Sequence, residues 1–138
     1  PVAVDRTLRD GQTLRVGRLK LTATATPGHA DGGSSWSWRA CDGAQCVAFA
    51  YVDSMSAVAR DGYRFSDHPE RVAPFRQTFA RVEAMPCDIL VTPHPSVSNL
   101  FARLAGRASL VDDRACARLA RAMSDALDAR LAREQAGD

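Results

Sequence analysis

Hydrophobic periodicity switches partway along this chain, and that switch constrains the fold more than any other feature. Up to Val52 the apolar positions follow the two-residue period of strands. Leu21, Ala23 and Ala25 alternate with threonines, and Trp36 and Trp38 share one face of the run Ser35–Ala40. Thr13–Val16 and Leu19–Thr26 flank Gly17-Arg18, a dipeptide suited to a hairpin turn. Val47–Val52 follows the turn-like stretch Asp42-Gly43-Ala44-Gln45. Beyond a long loop, Asp53–Pro69, the spacing becomes helical. Val72, Phe75, Phe79 and Val82 form one stripe, and Cys116, Leu119, Met123, Leu127 and Leu131 form another. Ser66 or Asp67 can cap the first of these helices with Pro69 near its start, whereas Pro74 suits the first turn of a helix beginning near Arg71. Asp88–Thr92 reads as a short strand and Asn99–Ala105 as a short helical piece. The last helix reads from about Asp112 to Glu134, its opening acids facing the positive end of the helix dipole.

Strands first, then helix, strand and helix, is an α/β arrangement: a mostly antiparallel sheet with two main helices on one face. Each helical stripe needs a sheet to cover. The sheet is small for two helices, and its other face lacks a covering layer, which points to a missing partner segment. No internal repeat, low-complexity tract or linker divides the chain, so residues 1–138 read as a single unit. With 46% hydrophobic and 25% charged residues, the composition supports a packed core rather than disorder. A formal net charge of +2 is too small to imply a nucleic-acid or membrane-surface partner. No apolar run approaches the ~20 residues that cross a bilayer. The opening PVAVDRTLRDGQTL has neither the basic nor the apolar segment of a signal peptide. A mature or truncated amino terminus looks the same, so secretion stays open.

Four cysteines allow three pairings. Two strands joined at Asp42–Gln45 bring Cys41 and Cys46 together, which leaves Cys87 for Cys116. That second bridge closes a loop of about thirty residues, worth roughly 3–4 kcal/mol in the loop-closure account. Four reduced core thiols are the alternative, and neither pair has the spacing of a zinc ribbon.

The chain has three histidines, and two occupy unusual settings. His29 follows Pro27-Gly28 directly after a strand, and His94 lies between Pro93 and Pro95 directly after another. Loops at strand ends are where sheet-based enzymes place ligands and catalysts, and neighbouring prolines pre-orient a side chain. Either residue alone reads as a turn histidine with a local hydrogen bond; two such settings bring a metal reading beside it. His68, in Ser66-Asp67-His68-Pro69, reads as surface. Asp53 reads as a hydrogen-bonding structural aspartate, Trp36 and Trp38 as sheet core, and Gly32-Gly33 as backbone freedom without a phosphate-loop pattern.

Thr26-Pro27-Gly28-His29, Ser34-Ser35-Trp36-Ser37-Trp38, Asp53-Ser54-Met55-Ser56 and Thr92-Pro93-His94-Pro95 through Ser98-Asn99 together resemble the second-half motifs of the third metallo-β-lactamase subclass. The resemblance runs over nearly the whole chain, including Pro86-Cys87-Asp88 and Ala115-Cys116. It implies half of an αβ/βα sandwich. Cys87–Cys116 is similar to a disulfide widespread in that subclass, and Cys41–Cys46 to an extra bridge of some members. The resemblance also implies zinc-dependent hydrolysis of β-lactams (carbapenems, cephalosporins, penicillins) in the periplasm or outside the cell. In such enzymes two zinc ions hold a hydroxide that attacks the lactam carbonyl. His29 would be the third histidine of the first zinc site and His94 a ligand of the second, while Ser54 and Ser56 would hydrogen-bond the substrate carboxylate.

The sequence departs from the family in one respect. The H-x-H-x-D-H run that supplies the remaining ligands is absent. This chain would then give one protein ligand to each zinc and need the amino-terminal half of the domain as a partner. Two further readings stay beside this one: a lactone or thioester hydrolase of the same superfamily, and an inactive half-domain without a full metal site.

Overall fold

The computed structural model describes residues 3–137. Within them β1 (Thr13–Val16), β2 (Leu19–Ala25), β3 (Ser34–Asp42), β4 (Gln45–Tyr51) and β5 (Ile89–Val91) form one sheet in sequence order. The first three pairings are antiparallel; β4 and β5 run parallel. A parallel neighbour requires a crossover. That crossover holds the long loop, a 3-10 turn at Phe65–Asp67 and helix α1 (Pro69–Glu83). Helices α2 (Leu100–Leu104) and α3 (Ala115–Ala136) follow β5.

The strand register sorts the side chains onto two faces. Ala50 lies opposite Ser37 and Leu90. Ala50, Leu90 and Val52 pack with Phe75, Phe79 and Val82 of α1 and with Cys116, Leu119 and Leu127 of α3, forming the core. Both predicted helical stripes therefore cover the same face. The pleat turns Trp36, Trp38, Phe49 and Tyr51 the other way, where they stay half-buried outside that core. Trp38 stacks on Phe49 at 5.2 Å. The expectation that the tryptophans are core is thus corrected: they lie on the sheet face away from the helices.

Two helix boundaries also differ from the sequence reading. His68 is the residue before α1, while Ser66 and Asp67 lie in the preceding 3-10 turn and give no side-chain cap. Helix α1 begins at Pro69 and runs through Pro74 without interruption. Pro74 cannot donate to the carbonyl of Glu70, but Glu70 is exposed, so water can serve that carbonyl instead. Helix α3 begins at Ala115, and Asp112 lies just outside it, accepting from the Arg114 N–H at 3.1 Å.

Both disulfides form. Cys41–Cys46 joins residues directly opposed in the β3–β4 hairpin, and Cys87–Cys116 ties the approach to β5 to the first turn of α3. The long loop is held from the far end of α3. Arg130 donates to Glu134 Oε1 at 2.6 Å and to the carbonyls of Tyr63 (3.2 Å) and Ala57, with its guanidinium 4.6 Å from the Phe65 ring centre. The Ser66 N–H donates to Glu134 Oε2 at 2.8 Å. Burial opposes ionisation of Glu134, but the hydrogen bonds from Arg130 and Ser66 outweigh it and hold the carboxyl below its usual range.

Glu134→Gln should lower stability by about 1–3 kcal/mol at neutral pH, since charge-assisted hydrogen bonds inside the protein are lost. The folded pKa is depressed, so the contribution is complete above the unfolded value and fades as pH falls through the folded one. Urea unfolding curves of the two proteins should therefore converge in acid. A gap that stays constant with pH would refute the ionic origin.

Candidate metal centre

Strands β2, β4 and β5 point the same way: β2 and β4 both run antiparallel to β3, and β5 runs parallel to β4. Their carboxyl ends share one end of the sheet. The loops leaving those ends carry His29, Ser54 with Ser56, and His94.

The first loop is tightly built. Thr26 receives a hydroxyl contact from Ser35 at 2.9 Å, and its N–H donates to the Gly33 carbonyl at 2.9 Å. Thr78 of α1 donates to the Pro27 carbonyl at 2.6 Å. Gly28 has φ 133°, and a Cβ there would sit 2.8 Å from the Phe75 ring. A Cβ on Gly33 would sit 2.4 Å from the Thr26 carbonyl oxygen. Gly33 is therefore a close-approach glycine, a tighter requirement than the backbone freedom expected.

His29 is exposed, and its Nδ1 lies 2.8 Å from the Ser56 carbonyl oxygen. A carbonyl can only accept, so Nδ1 carries the proton. In the neutral ring Nε2 then keeps a free lone pair. This is the outer hydrogen bond that metal-ligating histidines usually make through their second nitrogen. The donor chemistry at His29 thus fits a metal ligand.

Asp53 arranges the second loop. Its carboxylate accepts from the Ser54 N–H at 2.8 Å and the Ser34 N–H at 3.3 Å, and its own N–H donates to Ser35 Oγ at 3.0 Å. The predicted structural role of Asp53 is what the bonds describe. Ser54 Oγ and Ser56 Oγ lie 3.1 Å apart. In the third loop, Thr92 donates to the His94 carbonyl at 2.8 Å and lies 2.9 Å from Ser98 Oγ. The Val97 N–H also donates to the His94 carbonyl, at 2.9 Å. Sequence reasoning did not single out Thr92, because nothing in its spacing marks a hydroxyl that folds back on the next turn.

Ser54, Ser56 and His94 line one cleft, together with Met55, Leu119 and Met123. Through the Ser56 carbonyl His29 joins the same assembly. The cleft has a volume of about 70 Å³, well under the ~300 Å³ at which ligand pockets begin. Among the described residues no three His, Cys, Asp or Glu side chains converge as a metal cage. His68 lies elsewhere: its ring stacks on Tyr63 at 4.8 Å and its Nδ1 is 3.2 Å from Glu70 Oε1. It lies at the surface, as the sequence suggested, with its side chain 44% exposed.

No protein-family model matches the chain. Solved structures do, and they define the class: in fold and in sequence the chain belongs with the subclass B3 metallo-β-lactamases, as the counterpart of their carboxy-terminal half. The metallo-β-lactamase MIM-1 from Novosphingobium pentaromativorans superposes with a TM-score of 0.94 at 50% identity, over 99% of this chain and 50% of its own. The Rm3 metallo-β-lactamase gives 0.89 at 42% identity, over 98% of this chain and 53% of its own. MEM-A1, a subclass B3 enzyme from a soil metagenome library, gives 0.89 at 36% identity, covering 100% of this chain and 55% of its own. The chain thus spans about half the length of the proteins it matches.

Gly28→Ala should destabilise the fold by at least about 1–3 kcal/mol, because the new methyl meets Phe75 at a backbone angle that L residues avoid. Chemical denaturation measures this. An unchanged midpoint would mean that the turn can relax, and that the glycine does not set the aim of His29.

Proposed function

We propose that this chain is one unit, residues 1–138, of a secreted or periplasmic zinc hydrolase of β-lactams, completed by an amino-terminal half. The convergence of His29, Ser54, Ser56 and His94 at the shared ends of β2, β4 and β5 carries this reading, with the His29–Ser56 hydrogen bond its most telling detail. His29 would serve one zinc and His94 the other. Bound zinc supplies Lewis acidity toward the lactam carbonyl and the nitrogen that leaves it.

The chain's own residues then have separate tasks. The Ser56 carbonyl holds His29 in one tautomer, with Nε2 free to coordinate. Pro93 and Pro95 limit the backbone on either side of His94. Ser54 and Ser56 present two hydroxyls, 3.1 Å apart, beside the cleft. They can donate to a substrate carboxylate and so fix which face of the lactam meets the metals. One imidazole per zinc gives weak binding, since affinity comes from several ligands acting together. The small cleft and the half-buried Trp36, Trp38, Phe49 and Tyr51 face both call for the same missing partner, a first half that adds ligands and covers the sheet. The two disulfides fit an oxidising compartment, and among the described residues no helix is long and apolar enough to cross a membrane.

Joined to a matching amino-terminal half, the chain should hydrolyse a chromogenic cephalosporin and a carbapenem. Chelator should abolish turnover and added zinc restore it. Ser54→Ala and Ser56→Ala should each raise KM about five- to ten-fold with a smaller effect on kcat, the signature of lost substrate binding. A folded, zinc-loaded assembly that cleaves lactones or thioesters but no β-lactam would sink the proposal.

A further inference from the structure

Arg103 is an unusual residue for a short surface helix. It is only 8% exposed, and among the described residues no carboxylate pairs with it. Its guanidinium is spent on backbone carbonyls. Nε donates to Ser109 at 3.2 Å and Nη2 to Leu110, while Nη1 donates to both Leu90 (2.8 Å) and Ser98 (3.3 Å). Burial pushes its pKa below the ordinary arginine value. A buried cation without a counter-charge is unfavourable unless its donors are well used.

The two carbonyls on Nη1 lie four residues before and four residues after His94. One nitrogen atom therefore sets the span of the turn that carries this imidazole. Leu90 is in β5, fixed by its pairing with Ala50, and Ser98 leads into α2. Asn99 between Ser98 and α2 takes a left-handed conformation, φ 51°, so the backbone reverses there instead of running straight into the helix. A carbonyl at the reversal needs a donor from elsewhere, and Arg103, one turn further on, provides it. Thr92 holds the same turn from inside, through the His94 carbonyl.

We propose that Arg103 is a positioning residue for His94, fixing the aim of the imidazole by bridging the two ends of its turn. The inference rests on the zinc reading of His94 given above. A lysine keeps the charge and the stem, but its compact ammonium lacks the planar fork that reaches carbonyls on several sides at once. The arginine touches neither substrate nor metal and acts only through the turn.

The test uses the domain with both halves present. Zinc affinity of each site is measured by competition with a chromophoric chelator, alongside imidazole NMR resonances and thermal melting. Arg103→Lys should weaken one of the two zinc sites by about ten- to a hundred-fold, the effect seen when outer supports of metal ligands are lost. It should shift the His94 ring resonances and leave those of His29 in place. His94→Ala should weaken the same site. If His94→Ala changes neither affinity, the zinc reading itself fails, and this assignment with it. If His94→Ala weakens one site while Arg103→Lys weakens neither, or weakens both equally with a lower Tm, the arginine is a fold clamp only and the proposal is overturned. Should Arg103→Lys fail to fold, Arg103→Gln replaces it. Failure of both to fold also overturns the positioning role.

Discussion

The parallel pairing of β5 with β4 is the constraint on which the other features depend. Without it the carboxyl end of β5 would point away from those of β2 and β4, and His94 would sit at the opposite end of the sheet from His29 and Ser54. The pairing is short, three residues matched to three, and short parallel ladders are weak. Asp88 reinforces it twice: its N–H donates to the Ala48 carbonyl at 2.8 Å, and its carboxylate accepts from the Ala48 N–H at 2.7 Å. The adjacent Cys87–Cys116 bridge and the Asp112 N–H donating to the Asp88 carbonyl at 2.7 Å add two more ties at the same point. One register is thus enforced by a side chain, two backbone bonds and a covalent link.

Much of this was legible in the sequence, and what was missed shares a physical character. Strand alternation and helical stripes are local patterns, and every predicted strand and helix exists, with ends displaced by a few residues. Pro74 misled the reading of α1 because a proline in a helix is judged by a lost hydrogen bond, and the loss is tolerable where the orphaned carbonyl faces water. The tryptophans misled it because period two says that they share a face, not which face the helices choose. The Pro and Gly neighbours of His29 and His94 placed both in loops directly after strands, and both lie there, after β2 and β5. The partner that fixes His29 was not legible, because it is a backbone carbonyl 27 residues away.

Arg103 and Arg130 escaped for the same reason, and they solve one problem. Loop carbonyls drawn against a protein surface lose water and must find donors. A strand would supply them from a ladder, but the turns after β4 and β5 have none. An arginine has five N–H groups on one rigid plane and can serve several carbonyls from a single buried point. Arg130 holds Ala57 and Tyr63 in the loop after β4, while Arg103 holds Leu90 and Ser98 at the two ends of the turn after β5. The difference lies in charge. Arg130 has Glu134 beside it, so its ionic state is matched. Arg103 relies on carbonyl dipoles alone. A purely structural position could be filled by an apolar residue and a repacked loop. Keeping a desolvated cation there instead makes sense where the shape of the turn matters more than local stability.

The open sheet face and the small cleft can be considered together in this light. Trp36, Trp38, Phe49 and Tyr51 leave a half-buried apolar surface on the side away from α1 and α3. The loops that hold His29 and His94 leave the end of the same sheet. On the proposed reading, a layer laid against that face would bury the aromatic surface and bring further ligands to the same end of the sheet. These four aromatic side chains are already partly covered, so completing their burial would add only part of the ~1.5–3 kcal/mol that full burial is worth, but it needs no metal, whereas before the halves meet a metal held by one imidazole contributes little. On the proposed reading, hydrophobic contact would therefore assemble the domain, and the metal site would be completed as a geometric consequence of that contact.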